Sequence, residues 1–207
     1  MGLNPEGSPV NVAIAVWPWG TYLGEEGLEK GVRVKISRWL RIDPRILPPQ
    51  AKLVANYANS IFAKLDALNS GHDEAILLNT QGFVAEGPGE NVFIIKDGVL
   101  ITPPLSAGAL EGITRDSIIR IARDKKIKFG ERNISRGQLY DADEAFFTGT
   151  AAEVTPIREI NGHTIGDGRR GKITGELQHI FFEAARGKVA RYGSWLDYVE
   201  SISKPHS

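Results

Sequence analysis

The sequence predicts an α+β domain. Four short strand candidates follow one another between Glu74 and Thr102, and three helical stretches with apolar residues at helical spacing lie before and after them. Strands that follow so closely leave no room for helical crossovers, so the sheet is expected to be antiparallel or mixed. At 207 residues and 42% hydrophobic composition the chain can bury a substantial core. No repeat, low-complexity tract or linker interrupts it, so it reads as one domain over residues 25–207 after a lead-in over residues 1–24.

Val10 to Trp17 is β-branched and apolar and stops at Pro18, while Val32 to Ile36 alternates as a half-buried strand does. Between them lies a Gly/Glu-rich loop. After Pro48-Pro49, the stretch Gln50 to Leu68 carries Val54, Ile61, Phe62, Leu65 and Leu68 at helical spacing and ends at Asn69-Ser70-Gly71. Glu74 to Leu78, Phe83 to Glu86, Val92 to Ile95 and Val99 to Thr102 are the four strands, with turns at Asn79-Thr80-Gln81-Gly82 and Lys96-Asp97-Gly98.

Gly112-Ile113-Thr114 opens a second helix, Arg115 to Lys125, with Ile118, Ile119, Ile121 and Ala122 on one side. Strand candidates follow at Ile127 to Ile134, Ala145 to Thr148 and Val154 to Ile160, the last reaching an Asn161-Gly162 turn. Lys172 to Arg186 is a third helix, amphipathic through Ile173, Leu177, Ile180, Phe181 and Ala184. The tail from Lys188, with Trp195 and Tyr198, is expected to pack against the domain.

Composition removes several chemistries. Twenty-five basic residues balance twenty-five acidic ones, so no net field draws the chain to nucleic acid or an anionic membrane. With no cysteine there is no thiolate metal site, disulfide or cysteine nucleophile. His72, His163, His179 and His206 lack metal-ligand spacing, and neither a G-x-S-x-G elbow nor a P-loop occurs. The start lacks a signal-peptide pattern and no apolar run is long enough to span a membrane, so the expected location is cytoplasmic.

What remains is one lysine in an apolar run, Ala51-Lys52-Leu53, and an acidic turn, Glu86-Gly87-Pro88-Gly89-Glu90-Asn91. Apolar surroundings lower a lysine pKa, as Schiff-base chemistry requires, and a carboxylate beside a tight turn can pair with a pyridinium. Tyr57 can share a site with Lys52 only if Lys52 precedes the regular helix, because five helical residues place side chains about 140° apart. Gly112-Ile113-Thr114 and Thr148-Gly149-Thr150-Ala151-Ala152 both offer amides to an anion, although each reads equally as an ordinary helix start or turn.

Taken in order, five blocks closely resemble the branched-chain amino acid aminotransferases, members of the fold-type IV pyridoxal phosphate enzymes. They are Trp17-Pro18-Trp19-Gly20-Thr21-Tyr22-Leu23-Gly24, Ala51-Lys52 with Asn56-Tyr57-Ala58-Asn59-Ser60, Glu86 to Asn91, Leu110 to Arg115, and Thr148 to Pro156. The resemblance implies the large domain of the D-amino acid aminotransferase-like fold, a mixed sheet or pseudo-barrel with flanking helices. It implies pyridoxal 5'-phosphate as cofactor, held by Lys52 as an aldimine, by Glu86 at the ring nitrogen and by Tyr57 at the phenolic oxygen. Ile113, Thr114 and Thr150 are implied at the phosphate and Leu110 against the ring. Trp19, Tyr22, Gly89, Thr150, Ala151 and Ala152 are implied in substrate binding, and no metal is.

The implied reaction moves the amino group of leucine, isoleucine or valine to 2-oxoglutarate, giving glutamate and branched-chain 2-oxo acids, in a homodimer or larger homo-oligomer. D-amino acid transaminase and aminodeoxychorismate lyase share the lysine, the glutamate and the phosphate turns. A non-catalytic cofactor-binding or oligomerising module is the alternative of another class. Family members carry a smaller domain before the point matching Met1, which supplies a phosphate-binding arginine, so the chain is expected to be the large domain without it. The purified 207-residue protein is accordingly expected to bind cofactor weakly and to transaminate leucine with 2-oxoglutarate little or not at all. Robust turnover in that assay would overturn this expectation.

Overall fold

A computed structural model describes residues 3–198; Met1, Gly2 and the tail beyond Tyr198 lie outside the described residues. Alternating apolar residues build the centre of the sheet. In β4 (Asn91–Lys96), Val92 and Ile94 point to one face and Phe93 and Ile95 to the other. β7 (Glu144–Gly149) repeats this with Phe147 and Phe146, and the Phe93 and Phe146 rings stack at 5.1 Å. Strands buried on both faces are near-continuously apolar, as these are.

Around this pair the sheet is mixed, as the close spacing of strands requires. β1 (Val32–Ile36) lies parallel to both β2 (Glu74–Leu78) and β8 (Glu153–Ile160). β3 (Val84–Glu86) is antiparallel to β2, and β7 is antiparallel to β4 and β8. β5 (Val99–Thr102) is antiparallel to β4 and parallel to β6 (Lys128–Glu131), giving the order β3-β2-β1-β8-β7-β4-β5-β6. The two-residue β9 (His163–Thr164) returns onto β8 across the Asn161-Gly162 turn.

Helices cover the sheet by burying one stripe each. α3 (Ile113–Asp124) buries Ile118, Ile119, Ile121 and Ala122 against Phe93, Ile95 and Phe146. α5 (Lys172–Ala185) adds Leu177 and Ala184 to the same cluster, with Ile173, Ile180 and Phe181 half-buried around them. The tail continues this layer through a 3-10 turn over Ala190–Trp195, where Trp195 stacks on Tyr192 at 4.3 Å. Tyr198, expected in this packing, is exposed.

Four expectations need correction. Val10 to Trp17 forms no strand and is exposed, because no neighbouring strand pairs with it. The Gly/Glu-rich loop contains a short helix, α1 (Glu25–Lys30), whose first-turn Glu25 and Glu26 and last-turn Lys30 suit the helix dipole. A further helix, α4 (Arg136–Tyr140), forms where no helix is expected, its start fixed by a reciprocal capping box between Ser135 and Gln138. Finally, α2 starts at Val54 and ends at Leu68, but it turns its larger apolar residues outward.

That inversion has a chemical cause. The inner face of α2 uses Ala63 and Ala67, small enough to lie flat on Ala75 and Leu77 of β2, together with Asn56, Ser60 and Asp66. Asp66 is buried but meets Lys35 at 3.1 Å and Arg38 at 2.7 Å, which hold its carboxyl below the usual carboxylate range against the opposing effect of burial. Val54, Ile61, Phe62, Leu65 and Leu68 remain exposed, with Trp39 stacked on Phe62 at 5.0 Å. Among the described residues no helix is long and apolar enough to cross a membrane.

Ile118→Ala, in the closed cluster, is expected to cost about 2–5 kcal/mol of stability, whereas Ile61→Ala on the outer face of α2 costs less than about 1 kcal/mol. Denaturant unfolding of the two variants measures the contrast directly.

Candidate active site

The site forms where four chain segments end against one another. Pro48 and Pro49 set a 3-10 turn over Pro49–Ala51, and Lys52 follows in the left-handed region with φ 48° and ψ 39°. A non-glycine residue there is strained by ~1–3 kcal/mol, and the strain breaks the chain direction between the turn and α2. Lys52 therefore precedes the regular helix, and its Nζ stands 5.6 Å from the centre of the Tyr57 ring. Its surroundings are more open than the apolar run predicts, since Lys52 itself is exposed.

Glu86 closes β3 and is buried. Its Oε1 meets Arg41 Nη2 at 2.8 Å, an ion pair with both partners almost completely enclosed. Its Oε2 accepts from the Leu110 amide at 2.9 Å and from Asn91 Nδ2 at 3.1 Å. Asn91 Nδ2 also donates to the Leu110 carbonyl at 2.8 Å, so one side chain ties the acidic turn to the approach to α3. Gly112 is small for this reason: a Cβ there would run into Asn91 Oδ1.

Burial is the strongest influence on Glu86 and pushes its carboxyl up from 4.5 to about 7, with Arg41 the largest opposing charge, followed by the Leu110 amide, Lys52 and Arg115. Near neutrality Glu86 is thus poised between charge states. A cation placed beside it would favour the ionised one.

These groups border a cavity of about 260 Å³, a little below the ~300–1,000 Å³ of small-molecule sites. Lys52, Tyr57, Glu86, Gly89, Leu110, Ile113, Thr114 and Thr150 all line it. Ile113 and Thr114 form the first turn of α3, which no side chain caps. Their free amides and the positive helix end make an anion seat. Thr150 faces them from the turn after β7, and the buried Thr148 hydroxyl on the same wall has no hydrogen-bond partner.

Trp19, Tyr22, Ala151 and Ala152 are not brought to the cavity wall. Trp19 stacks on Trp17 at 5.6 Å on the exposed segment, Tyr22 is exposed beside Glu74 and Glu90, Ala151 is exposed and Ala152 is buried in the turn. Ser60, Glu90 and Thr148, each within a block that the sequence marks, also line the cavity, and so does Arg41, which lies in none of them. Arg41 lies amid Trp39-Leu40-Arg41-Ile42, where nothing local marks it. Its only signal is the need of a buried Glu86 for a cation.

An amine, a buried carboxyl, a phenol and an amide-rich anion seat on one cavity fit pyridoxal phosphate. Of the lining residues only Arg41 and Lys52 are cationic, and Arg41 is engaged by Glu86, so the anion seat consists of amides and hydroxyls. Among the described residues no group of His, Asp or Glu could hold a metal ion.

Comparison with known proteins places the fold among the aminotransferases. A family model described as amino-transferase class IV matches residues 3–160. The branched-chain-amino-acid aminotransferase of Pseudomonas aeruginosa is 48% identical over 97% of the chain, and the chain spans about 65% of that relative's length. The crystal structure of the Escherichia coli branched-chain amino acid aminotransferase superposes with a TM-score of 0.87 at 44% identity, covering 89% of this chain and 60% of that one. The branched-chain amino acid aminotransferase of Thermobaculum terrenum, solved in its PLP-bound holo-form, gives 0.82 at 42% identity, with coverage of 87% and 58%.

Because the folded Glu86 carboxyl holds its proton to higher pH than the unfolded one, its contribution to stability is full below 4.5 and lost as pH rises through about 7. Arg41→Met removes the main opposing charge and carries that loss to still higher pH. The variant is expected to lose about 3–5 kcal/mol at pH 8 but much less at pH 5, as measured by denaturant unfolding at the two pH values.

Proposed function

The chain belongs to the amino-transferase class IV family, and from that premise we propose that it forms the cofactor-binding part of a pyridoxal phosphate-dependent branched-chain amino acid aminotransferase. The substrates in this reading are leucine, isoleucine and valine, with 2-oxoglutarate as amino acceptor, and the enzyme works in the cytoplasm as a homo-oligomer. Residues 25–207 are assigned to the large domain and residues 1–24 to the segment leading into it.

The reading is carried by one observation: Lys52 and Glu86, from separate segments, border the same cavity as the uncapped start of α3. When bound, pyridoxal phosphate supplies an electron sink for the pair left behind at substrate Cα. Lys52 Nζ is the amine that anchors the group and then takes the Cα proton of the amino acid. Its place between a 3-10 turn and α2 gives the side chain a fixed root.

Glu86 holds the ring nitrogen in its protonated form, and Arg41 helps keep the carboxylate charged for that task. Tyr57 bonds the phenolic oxygen. The amides of Ile113 and Thr114 with Thr150 hold the phosphate, and Leu110 packs on the ring. The Ala151-Ala152 turn is assigned to the substrate carboxylate, and Trp19, Tyr22 and Gly89 to the side-chain pocket. An aliphatic pocket distinguishes branched chains chiefly by buried area, at roughly 1–3 kcal/mol per methylene.

Mixing the purified chain with pyridoxal phosphate is expected to give the visible absorbance band of lysine-bound cofactor, absent in Lys52→Ala. A panel of L-leucine, D-alanine and aminodeoxychorismate, run with the smaller domain of a class IV relative joined ahead of the chain, then identifies the substrate by which compound bleaches the band. Only L-leucine and its branched relatives should do so. Retention of the band by Lys52→Ala, or bleaching by D-alanine alone, would sink the assignment.

A further inference from the structure

Behind the cavity lies a second acidic centre that the transamination chemistry leaves unused. Glu90, on the cavity wall, is buried, and so is Glu74 on β2. Glu74 is fully provided with donors: Oε1 accepts from the Ala75 amide at 2.9 Å and Oε2 from Lys64 Nζ at 2.7 Å. Glu90 Oε2 accepts from the Gly89 amide at 3.0 Å, but Oε1 is buried with no donor facing it. The Glu74 carboxyl is within reach of it and acts on it, and two carboxylates cannot bond to each other.

We propose that Glu90 is a neutral carboxylic acid that donates its proton to the Glu74 carboxylate, and that in this form it is the positioning residue of the Gly87-Pro88-Gly89 turn. The proton belongs on Glu90 because Glu74 already has the Lys64 ammonium, whereas the free Glu90 oxygen has nothing else to satisfy it. The charged and titratable groups facing the pair are Lys64 from α2 and Tyr22 from the segment before α1. Across the cavity wall stand Glu86, Lys52 and Arg41. With one lysine for two enclosed carboxyl groups, a single shared proton balances the charge.

Burial and the Glu74 charge both act in this direction, raising the Glu90 carboxyl well above its ordinary value. Tyr22 is raised too, by its own burial and then by the same two carboxyl groups, so it stays a neutral phenol.

The turn is built around this acid. Gly87 donates its amide to the Glu90 carbonyl at 2.7 Å, and the Glu90 side chain folds back beneath the turn to the Gly89 amide. A Cβ on Gly87 would stand 2.5 Å from Glu90 Oε2 and 3.0 Å from the Phe147 ring. The Gly89 carbonyl in turn packs against Gly149, at the root of the Thr150 turn. Ionising Glu90 would set two carboxylates against each other and release the turn. The pair itself stands on the protein alone; only its consequence for cofactor binding rests on the proposed function.

Infrared spectra of the cofactor-free protein at pH 7 should contain, beside the Glu86 contribution, a protonated-carboxyl component that Glu90→Gln removes and Glu86→Gln leaves in place. The side-chain amide of that variant can still donate to Glu74, so Glu90→Gln is expected to keep the Gly89 amide protected from hydrogen exchange. Wild-type protection, relative to the Val92–Ile95 amides, should fall about tenfold as alkaline pH ionises Glu90, and the variant should not follow. Glu74→Gln, which removes the acceptor charge and frees Lys64 to pair with Glu90, should weaken the infrared band at pH 7 and provides a second arm should Glu90→Gln not fold. With pyridoxal phosphate as probe, affinity should fall along the same alkaline limb in wild type only. A band unchanged in both variants, or Gly89 protection lost in Glu90→Gln already at pH 7, overturns the proposal. An intact acid pair in a protein that binds no pyridoxal phosphate at any pH would uphold the clamp and reject the proposed cofactor instead.

Discussion

The buried carboxyl of Glu86 is the interaction on which the site depends. Removing a carboxylate from water is costly, and such a charge persists inside a protein only where donors replace the lost hydration. Arg41, Asn91 and the Leu110 amide do so here, each from a different part of the chain. Satisfying one side chain therefore fixes the exit of β1, the end of β3, the start of β4 and the approach to α3. Glycine at 112 follows from the same demand, because the Asn91 side chain occupies the space that a Cβ would need.

Topology supplies those segments. β4 and β7 form the rigid centre, buried on both faces, and the Gly89 and Thr150 turns are their adjoining ends. α3 sits on this centre through Ile118 and Ile121, so its uncapped first turn reaches the cavity as the end of a well-packed rod. Lys52 differs in kind. It lies at a strained junction on the exposed side, where a long flexible amine can reach over Tyr57 into the cavity while its backbone is held by the proline turn.

Much of this was legible because the information was local. Period-two alternation marked Val32–Ile36, and helical spacing marked α3 and α5, since large apolar residues, buried in α3 and half-buried around Leu177 in α5, pack on the same cluster. The same rule misread α2, where spacing found the helix but not its inner face. Ala63 and Ala67 carry little hydrophobic signal, and the inward Asp66 is acceptable only because Lys35 and Arg38 arrive from β1 and the segment after it. Val10 to Trp17 fails for the opposite reason: apolar and β-branched, it looks like a strand, yet pairing is a property of neighbours. Lys52, Tyr57, Glu86 and the two amide turns could be gathered from five ordered blocks, but Arg41 and Glu74 are known only by what lies across from them in space.

Glu86 and Glu90 stand four residues apart on one turn, share the same burial, and arrive at different electrostatic ends. Desolvation pushes both carboxyl groups up, so it cannot separate them. Partners separate them. Glu86 faces a guanidinium, an amide N–H and an asparagine amide, all donors that favour the anion. Glu90 faces another carboxyl that has already taken the nearest lysine, which favours the acid. A turn that carries one carboxyl beside a guanidinium can therefore include a second carboxyl in its frame, provided a strand behind it supplies an acceptor for the proton. In this fold that strand is β2, and the small inner face of α2 lets Lys64 reach it.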